Sequence, residues 1–321
     1  MEVTDVVIRT EGLTKRYREV TAVNDMCMRV QRGEVFGLLG PNGAGKTTTI
    51  SMLLGLIRPT CGSVEVLGHD MHTQASAALR NVGALVEAAF YPHLSARDNL
   101  WVMAHMSGGG VSRERIDAVL EQVGLAGRAT SKVQTYSTGM KQRLGLAAAL
   151  VHDPHLLILD EPTNGLDPAG MLEMRQLIRY LVEQEGKTIM LSSHLLHEVE
   201  QVCDRVLILS QGQTIVCGRV DELLEQGGHI ELHIAQAEQA VAVLRALDWV
   251  SSVQLRDGTI FVDAPPERAA ELTAALAAQG LYLHGLQVAE RSLESYFLAV
   301  TGNDQQAAHR PERAGLGEDH G

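Results

Sequence analysis

The sequence contains no long apolar run. A helix that crosses a bilayer needs roughly 18–20 such residues. The longest candidates, around 144–151, are far shorter, and the alanine-rich stretch 268–283 carries Glu271 and Gln279. The beginning, Met-Glu-Val-Thr-Asp, lacks the basic and then apolar pattern of an export signal. The chain is therefore expected neither to span a membrane nor to be exported by itself. Cysteine is scarce: Cys27, Cys61, Cys203 and Cys217 show no paired or metal-binding spacing, so they are expected to be small core residues of a cytosolic protein. His152 and His155 flank Asp153-Pro154, a turn signal, which makes them expected surface residues rather than metal ligands. Positive charge is in deficit, with 27 Lys and Arg against 39 Asp and Glu for a net charge of −12. That balance argues against broad binding to nucleic acid, which needs clustered cations, although it leaves a local basic groove open. No internal repeat is visible, so each chain is expected to carry one catalytic unit.

At 321 residues the chain exceeds one average domain of about 150 residues and suggests two. An apolar fraction of 45% and a charged fraction of 21% are ordinary for a globular protein with a real core. Residues 5–218 alternate short apolar runs with helical segments, the pattern of an α/β fold with a parallel sheet. Strands are expected at 35–39, 156–159, 188–191 and 205–209, and helices at 48–57, 169–185 and 195–202. A second unit, 219–300, reads as a short helix at 219–226, a hinge at Gly227-Gly228, and then a small α+β domain of order βαββαβ with an element missing or displaced. The polar stretch 301–321 is expected to be a disordered tail.

Gly40-Pro41-Asn42-Gly43-Ala44-Gly45-Lys46-Thr47 matches G-x-x-x-x-G-K-[ST] between an expected strand and an expected helix that takes in Thr48. Glycines let backbone N–H groups turn inward around phosphates, and the helix N-terminus adds partial positive charge. Lys46 is placed to reach the β- and γ-phosphates and the Thr47 hydroxyl to hold Mg²⁺. By itself the loop indicates a nucleotide-binding protein, whether kinase, GTPase or ATPase. Further along, Leu156-Leu157-Ile158-Leu159 delivers Asp160 and Glu161 at a strand end. Successive strand side chains point opposite ways, so the two acids take different tasks. Asp160 suits holding Mg²⁺, indirectly or through water, and Glu161 suits polarising the water that attacks the γ-phosphate. An acceptor pocket and lid, which a kinase would need, find no support in the sequence, so hydrolysis is favoured.

Tyr136-Ser137-Thr138-Gly139-Met140-Lys141-Gln142 precedes a strong helical run. Together with the phosphate loop and Asp160-Glu161, it makes the chain resemble the ATP-binding subunits of ATP-binding cassette (ABC) transporters. The segment resembles a variant of their Leu-Ser-Gly-Gly-Gln signature, whose hydroxyl and amide donors, here Ser137 and Gly139, face a γ-phosphate. The resemblance implies a P-loop NTPase cassette over 5–218, with a parallel-sheet core and a helical signature subdomain, followed by an accessory domain. It implies that two cassettes, as homodimer or heterodimer, enclose ATP and Mg²⁺ between them, and that each works at the cytoplasmic face of the membrane through a separately encoded permease.

The same resemblance makes His194 the switch histidine at the γ-phosphate and Asp167 the residue of a loop that communicates across the dimer. It makes Tyr17 the ring that stacks on adenine, and it adds Gln142 to the nucleotide contacts. Glu87 stands where the family usually has glutamine. That glutamate resembles the bacitracin- and lantibiotic-type exporter subgroup and would ligate Mg²⁺ more strongly while adding charge near the phosphates. Phe90, Tyr91 and Trp101 are expected to form the permease-facing surface. Two other classes fit the sequence less well. A mechanical cassette acting on ribosomes or DNA is disfavoured by the single cassette, the absence of heptads and the acidic charge. An inactive scaffold is disfavoured by the filled chemical positions.

Overall fold

Buried Met26, Met28 and Val30 alternate with exposed Cys27, Arg29 and Gln31 along Val20–Gln31, the period of a strand with one face covered. This strand, β2, pairs antiparallel with β1 (Val6–Tyr17). The computed structural model describes residues 6–86, 89–106, 110–226, 229–256, 258–289, 292–295 and 297. The chain divides into two units between Val220 and Asp221.

In the first unit, β3 (Val35–Leu39) follows the opening hairpin, and β4 (Cys61–Val66) and β5 (His69–Asp70) come after the first helix. Strands β1, β2, β4 and β5 form an antiparallel sheet in the order β2-β1-β4-β5. The reading of 5–218 as a single α/β alternation missed this sheet. Its strands carry an antiparallel, one-face-buried pattern that composition does not separate from its surroundings.

The second sheet adds β6 (Val82–Leu85), β7 (Leu156–Asp160), β8 (Thr188–Ser193), β9 (Arg205–Ser210) and β10 (Gln213–Arg219) to β3, in the order β10-β9-β3-β8-β7-β6. Every neighbour pair is parallel except β9 with β10. All residues of β3 and β8 are buried, as expected when helices cover both faces of a sheet. Phe36 is wholly buried in β3, a position where a side chain of that size contributes about 1.5–3 kcal/mol. The helix after the phosphate loop runs over Lys46–Leu53, and Gly55 at φ +67° follows it, so it ends sooner than the expected 48–57. Helices Ala96–Met106, Arg113–Gln122 and Thr138–Leu150 pack on one another as the helical subdomain. Pro168–Glu183 and Leu196–Glu200 fall where helices were expected.

The second unit contains β11 (His229–His233), helix Ala237–Arg245, β12 (Ser252–Arg256), β13 (Thr259–Asp263), helix Ala269–Ala278 and β14 (Gly285–Ala289). Its sheet order β12-β13-β11-β14, antiparallel throughout, is that of a ferredoxin-like split βαβ fold. No element is missing or displaced. Ile230, Leu232, Ile260 and Val262 form its core with Leu244, Leu272 and Leu276. The hinge Gly227-Gly228 and the tail 301–321 lie outside the described residues.

The cysteine expectation needs correction. Only Cys203 is buried, and Cys27, Cys61 and Cys217 are exposed. Cys27 lies between Met26 and Met28, so the pleat turns it to the opposite face. Burial pushes the Cys203 thiol well above its ordinary range, with Asp204 adding to the effect. Titration of the native protein with a thiol reagent is expected to find Cys27 and Cys61 fast, Cys217 slower because burial raises its thiol, and Cys203 only after denaturation. A fast reaction at Cys203 would contradict the packing around it.

Candidate functional site

The phosphate loop leaves the C-terminal end of β3, the edge of a parallel sheet at which ligands collect. A Cβ on Gly40 would lie 2.4 Å from the Leu209 carbonyl oxygen, and one on Gly45 2.3 Å from that of Ala22. Both glycines have positive φ, +152° and +109°. Only a residue without a side chain lets the loop lie this close to β9 and β2. Gly45 caps the helix Lys46–Leu53 without a side-chain hydrogen bond, and no acid occupies the first turn. The amides there face the loop with partial positive charge and no competing anion from their own helix. Pro41, Asn42, Gly43 and Thr47 are exposed, Thr48 is half-buried, and Ala44 and Lys46 are buried.

Lys46 Nζ donates to the carbonyls of Gly40 at 2.7 Å and Pro41 at 3.4 Å, and lies 3.3 Å from Glu161 Oε1. The other oxygen of that carboxylate, Oε2, is 2.8 Å from His194 Nδ1. A carboxylate can only accept, so Nδ1 carries the proton of that bond and Nε2 faces away from Glu161. Glu161 thus joins the ends of β3, β7 and β8 through one side chain. The Thr47 hydroxyl donates to Asp160 Oδ2 at 3.1 Å, which puts two hard oxygen ligands side by side. Among the described residues no group of three or more His, Cys, Asp or Glu forms a metal cluster.

Sequence reasoning missed Ser192. It is wholly buried, pairs with Asp160 in the β7–β8 ladder, and donates its hydroxyl to Asp160 Oδ1. The Ser192 Oγ in turn accepts the Glu161 N–H at 3.0 Å. The signal available was its place just ahead of His194 in a buried strand end, where a polar side chain needs partners.

Ser137 caps the helix Thr138–Leu150, its hydroxyl oxygen accepting from the Met140 N–H at 3.3 Å. Its own proton remains free to donate outward. Behind it, burial raises the Tyr136 phenol above its ordinary value, against the opposing charge of Arg128, and its hydroxyl donates to the Arg128 carbonyl at 2.7 Å. That neutral donor anchors the segment. Asp167 caps the helix Pro168–Glu183 through the Gly170 N–H. The two loops touch: a Cβ on Gly165 would lie 3.2 Å from Thr138 Cγ2, and one on Gly139 3.4 Å from Leu166 Cδ2. Gln142 Nε2 donates to the Glu161 carbonyl at 3.1 Å.

The expected residues therefore gather into two groups. Lys46, Thr47, Asp160, Glu161 and His194 share one network, and Gln142 reaches it from the helical subdomain. Ser137, Gly139 and Asp167 form a second group around the signature segment. Tyr17 ends β1, 46% exposed, which removes core packing as its role. The Lys15 ammonium lies 5.0 Å from its ring centroid. Glu87 lies outside the described residues. Of the three aromatics expected on an exposed surface, Tyr91 and Trp101 are exposed, whereas Phe90 is half-buried. Asn99, wholly buried, ties the loop at Tyr91 to the helix Ala96–Met106 by accepting the Tyr91 N–H and donating to the Tyr91 carbonyl.

A parallel sheet with a phosphate loop at one strand end and paired acids at another defines a P-loop nucleotide-binding cassette. The profile of the ABC transporter family matches residues 23–164. YhcH of Bacillus subtilis, an uncharacterised ABC transporter ATP-binding protein, is 40% identical over 94% of this chain and 97% of its own. The bacitracin transport ATP-binding protein BcrA of Bacillus licheniformis is 40% identical over 92% of this chain and 97% of its own. A solved structure of the ATP-binding subunit of an ABC transporter superposes with a TM-score of 0.61 at 29% identity, covering 68% of this chain and 92% of that one. The chain belongs to the ATP-binding subunits of ABC transporters. It is an ATPase of a family whose cassettes work as dimers with a membrane permease. Among the described residues no helix is long and apolar enough to cross a membrane.

Proposed function

We propose that this ATPase drives export of an amphipathic peptide or drug through a separate permease, as one of two cassettes that close over ATP and Mg²⁺ at the cytoplasmic face of the membrane. The observation that supports it most is the network from Lys46 through Glu161 to His194. In it a buried cation, a carboxylate and an imidazole converge on the open end of the phosphate loop. The Gly40–Thr48 loop wraps the phosphates and Tyr17 stacks on the base. A γ-phosphate that takes the Lys46 ammonium frees Glu161 Oε1 to accept a proton from the attacking water. His194, oriented by Oε2, faces the same phosphate. Ser137 and Gly139 donate to the nucleotide of the partner cassette, and Asp167 reports across the dimer.

Thr47 Oγ1 and Asp160 Oδ2 suit Mg²⁺, which takes one or two protein oxygens and fills its remaining positions with phosphate and water. Bound there, the ion would neutralise charge on the phosphates. The likeness to a bacitracin transport protein over nearly the whole chain supports the cargo class. Tyr91 and Trp101 supply aromatic anchors for the permease.

In cells that carry this chain with its cognate multi-span permease, tolerance to a bacitracin-type peptide is expected to rise. The chain is expected to sediment with membrane vesicles only when the permease is present. Sedimentation independent of the permease, or unaltered tolerance to peptides and drugs alike, would count against this reading.

A further inference from the structure

Glu161 is held by its backbone as well as by its carboxylate. Its φ is +50°, a left-handed conformation that a residue with a side chain keeps only where its surroundings impose it. Two side chains grip the peptide groups on either side. Ser192 Oγ accepts the Glu161 N–H at 3.0 Å, and Gln142 Nε2 donates to the Glu161 carbonyl at 3.1 Å. These two grips differ in kind. Ser192 sits in a wholly buried strand whose register with β7 fixes it. Gln142 is half-buried in the helix Thr138–Leu150, whose N-terminal cap is Ser137. A shift of that helix would move one grip and leave the other in place.

We propose that Gln142 is a positioning residue: within one chain it sets Glu161 from the carbonyl side, and so couples the seating of the signature segment on the partner's nucleotide to the carboxylate at this chain's own phosphate loop. The inference rests on the reading above, in which Glu161 is the general base and Ser137 and Gly139 meet the partner's nucleotide. It gives Gln142 a role on Glu161 in place of a nucleotide contact. The alternative route through the touching loops at Gly139 and Leu166 uses apolar contact and would survive loss of the Gln142 amide.

The full-length protein with Gln142→Met keeps the side-chain length and loses the donor, while Gln142→Lys restores an N–H donor of similar reach. With Gln142→Met, kcat is expected to fall about 3- to 30-fold, the worth of one hydrogen bond that orients a reacting group. KM for ATP should stay within about twofold, and Gln142→Lys should recover most of the loss. In a Glu161→Gln background, the ATP concentration at half-maximal dimerisation, followed by size-exclusion chromatography, should be the same with Gln142 or Met. Two results would overturn the proposal: an unchanged kcat, or a tenfold rise in KM and in the ATP needed for dimerisation, which would make Gln142 a nucleotide contact. If Glu161→Gln itself turned over ATP at the native rate, the assignment of the general base would fail first. That failure is separate from the behaviour of Gln142.

Discussion

Glu161→Gln is expected to lower ATP turnover by about 10²- to 10⁴-fold while nucleotide still binds. The substitution preserves shape and keeps an oxygen toward Lys46 Nζ, which lies 3.3 Å from Oε1, but it removes the carboxylate that, among the described residues, could take a proton from water. Asp160 cannot replace it, because its two oxygens are engaged by Thr47 and Ser192. Because ATP stays intact, two cassettes should accumulate in the closed form, visible as an ATP-dependent dimer that does not decay. Single-turnover hydrolysis with labelled ATP separates the outcomes. A native rate in the variant would remove Glu161 from the chemistry and leave the water without a base.

Lys46→Ala should act one step earlier. Lys46 is 6% exposed, and its ammonium is the cation that joins the loop carbonyls of Gly40 and Pro41 to Glu161. Its removal takes away a charge-assisted bond to phosphate and leaves Glu161 without its counter-charge. ATP affinity is expected to fall about 10- to 100-fold, the range for one or two hydrogen bonds to a charged group. Turnover should be lost with it. Thermal denaturation provides the check: at an ATP concentration a few times the native Kd, ATP should raise the native melting temperature and leave that of the variant nearly unmoved. An equal shift in both proteins would mean that the loop holds the triphosphate without its lysine.

The two variants also separate binding from chemistry. At an ATP concentration near the native Kd, Glu161→Gln should bind and dimerise without turnover, while Lys46→Ala should stay largely unbound and monomeric. Identical behaviour would mean that the ion pair between these residues is only a structural contact and that the hydrolytic role belongs to another group.

Much of the parallel sheet could be read along the chain. Strands β3, β7, β8 and β9 are short unbroken apolar runs, as strands covered on both sides must be, and their ends carry Gly40, Asp160 and His194. The βαββαβ order of the second unit was legible for the same reason, since its elements follow one another with short connections. The opening antiparallel sheet was not. Strand β1 joins β2 on one side and the distant β4 on the other, and nothing local announces that second pairing. The exposure of Cys27 followed from the same gap, since without the strand its pleat could not be assigned.

Residue types and their order along the chain were enough to establish a phosphate loop, a carboxylate pair, a signature-like helix start and their sequence, because each is a short run whose chemistry depends on adjacent residues. The partners of Glu161 depended on the folded chain. Lys46, Gln142, Ser192 and His194 reach it from separate elements, and the ladder pairing Asp160 with Ser192 decides which hydroxyl lies beside which acid. A one-residue slip of β8 would turn Ser192 to the other face of the sheet. Such a register is set by the packing of whole strands and helices, which no local run of residues encodes.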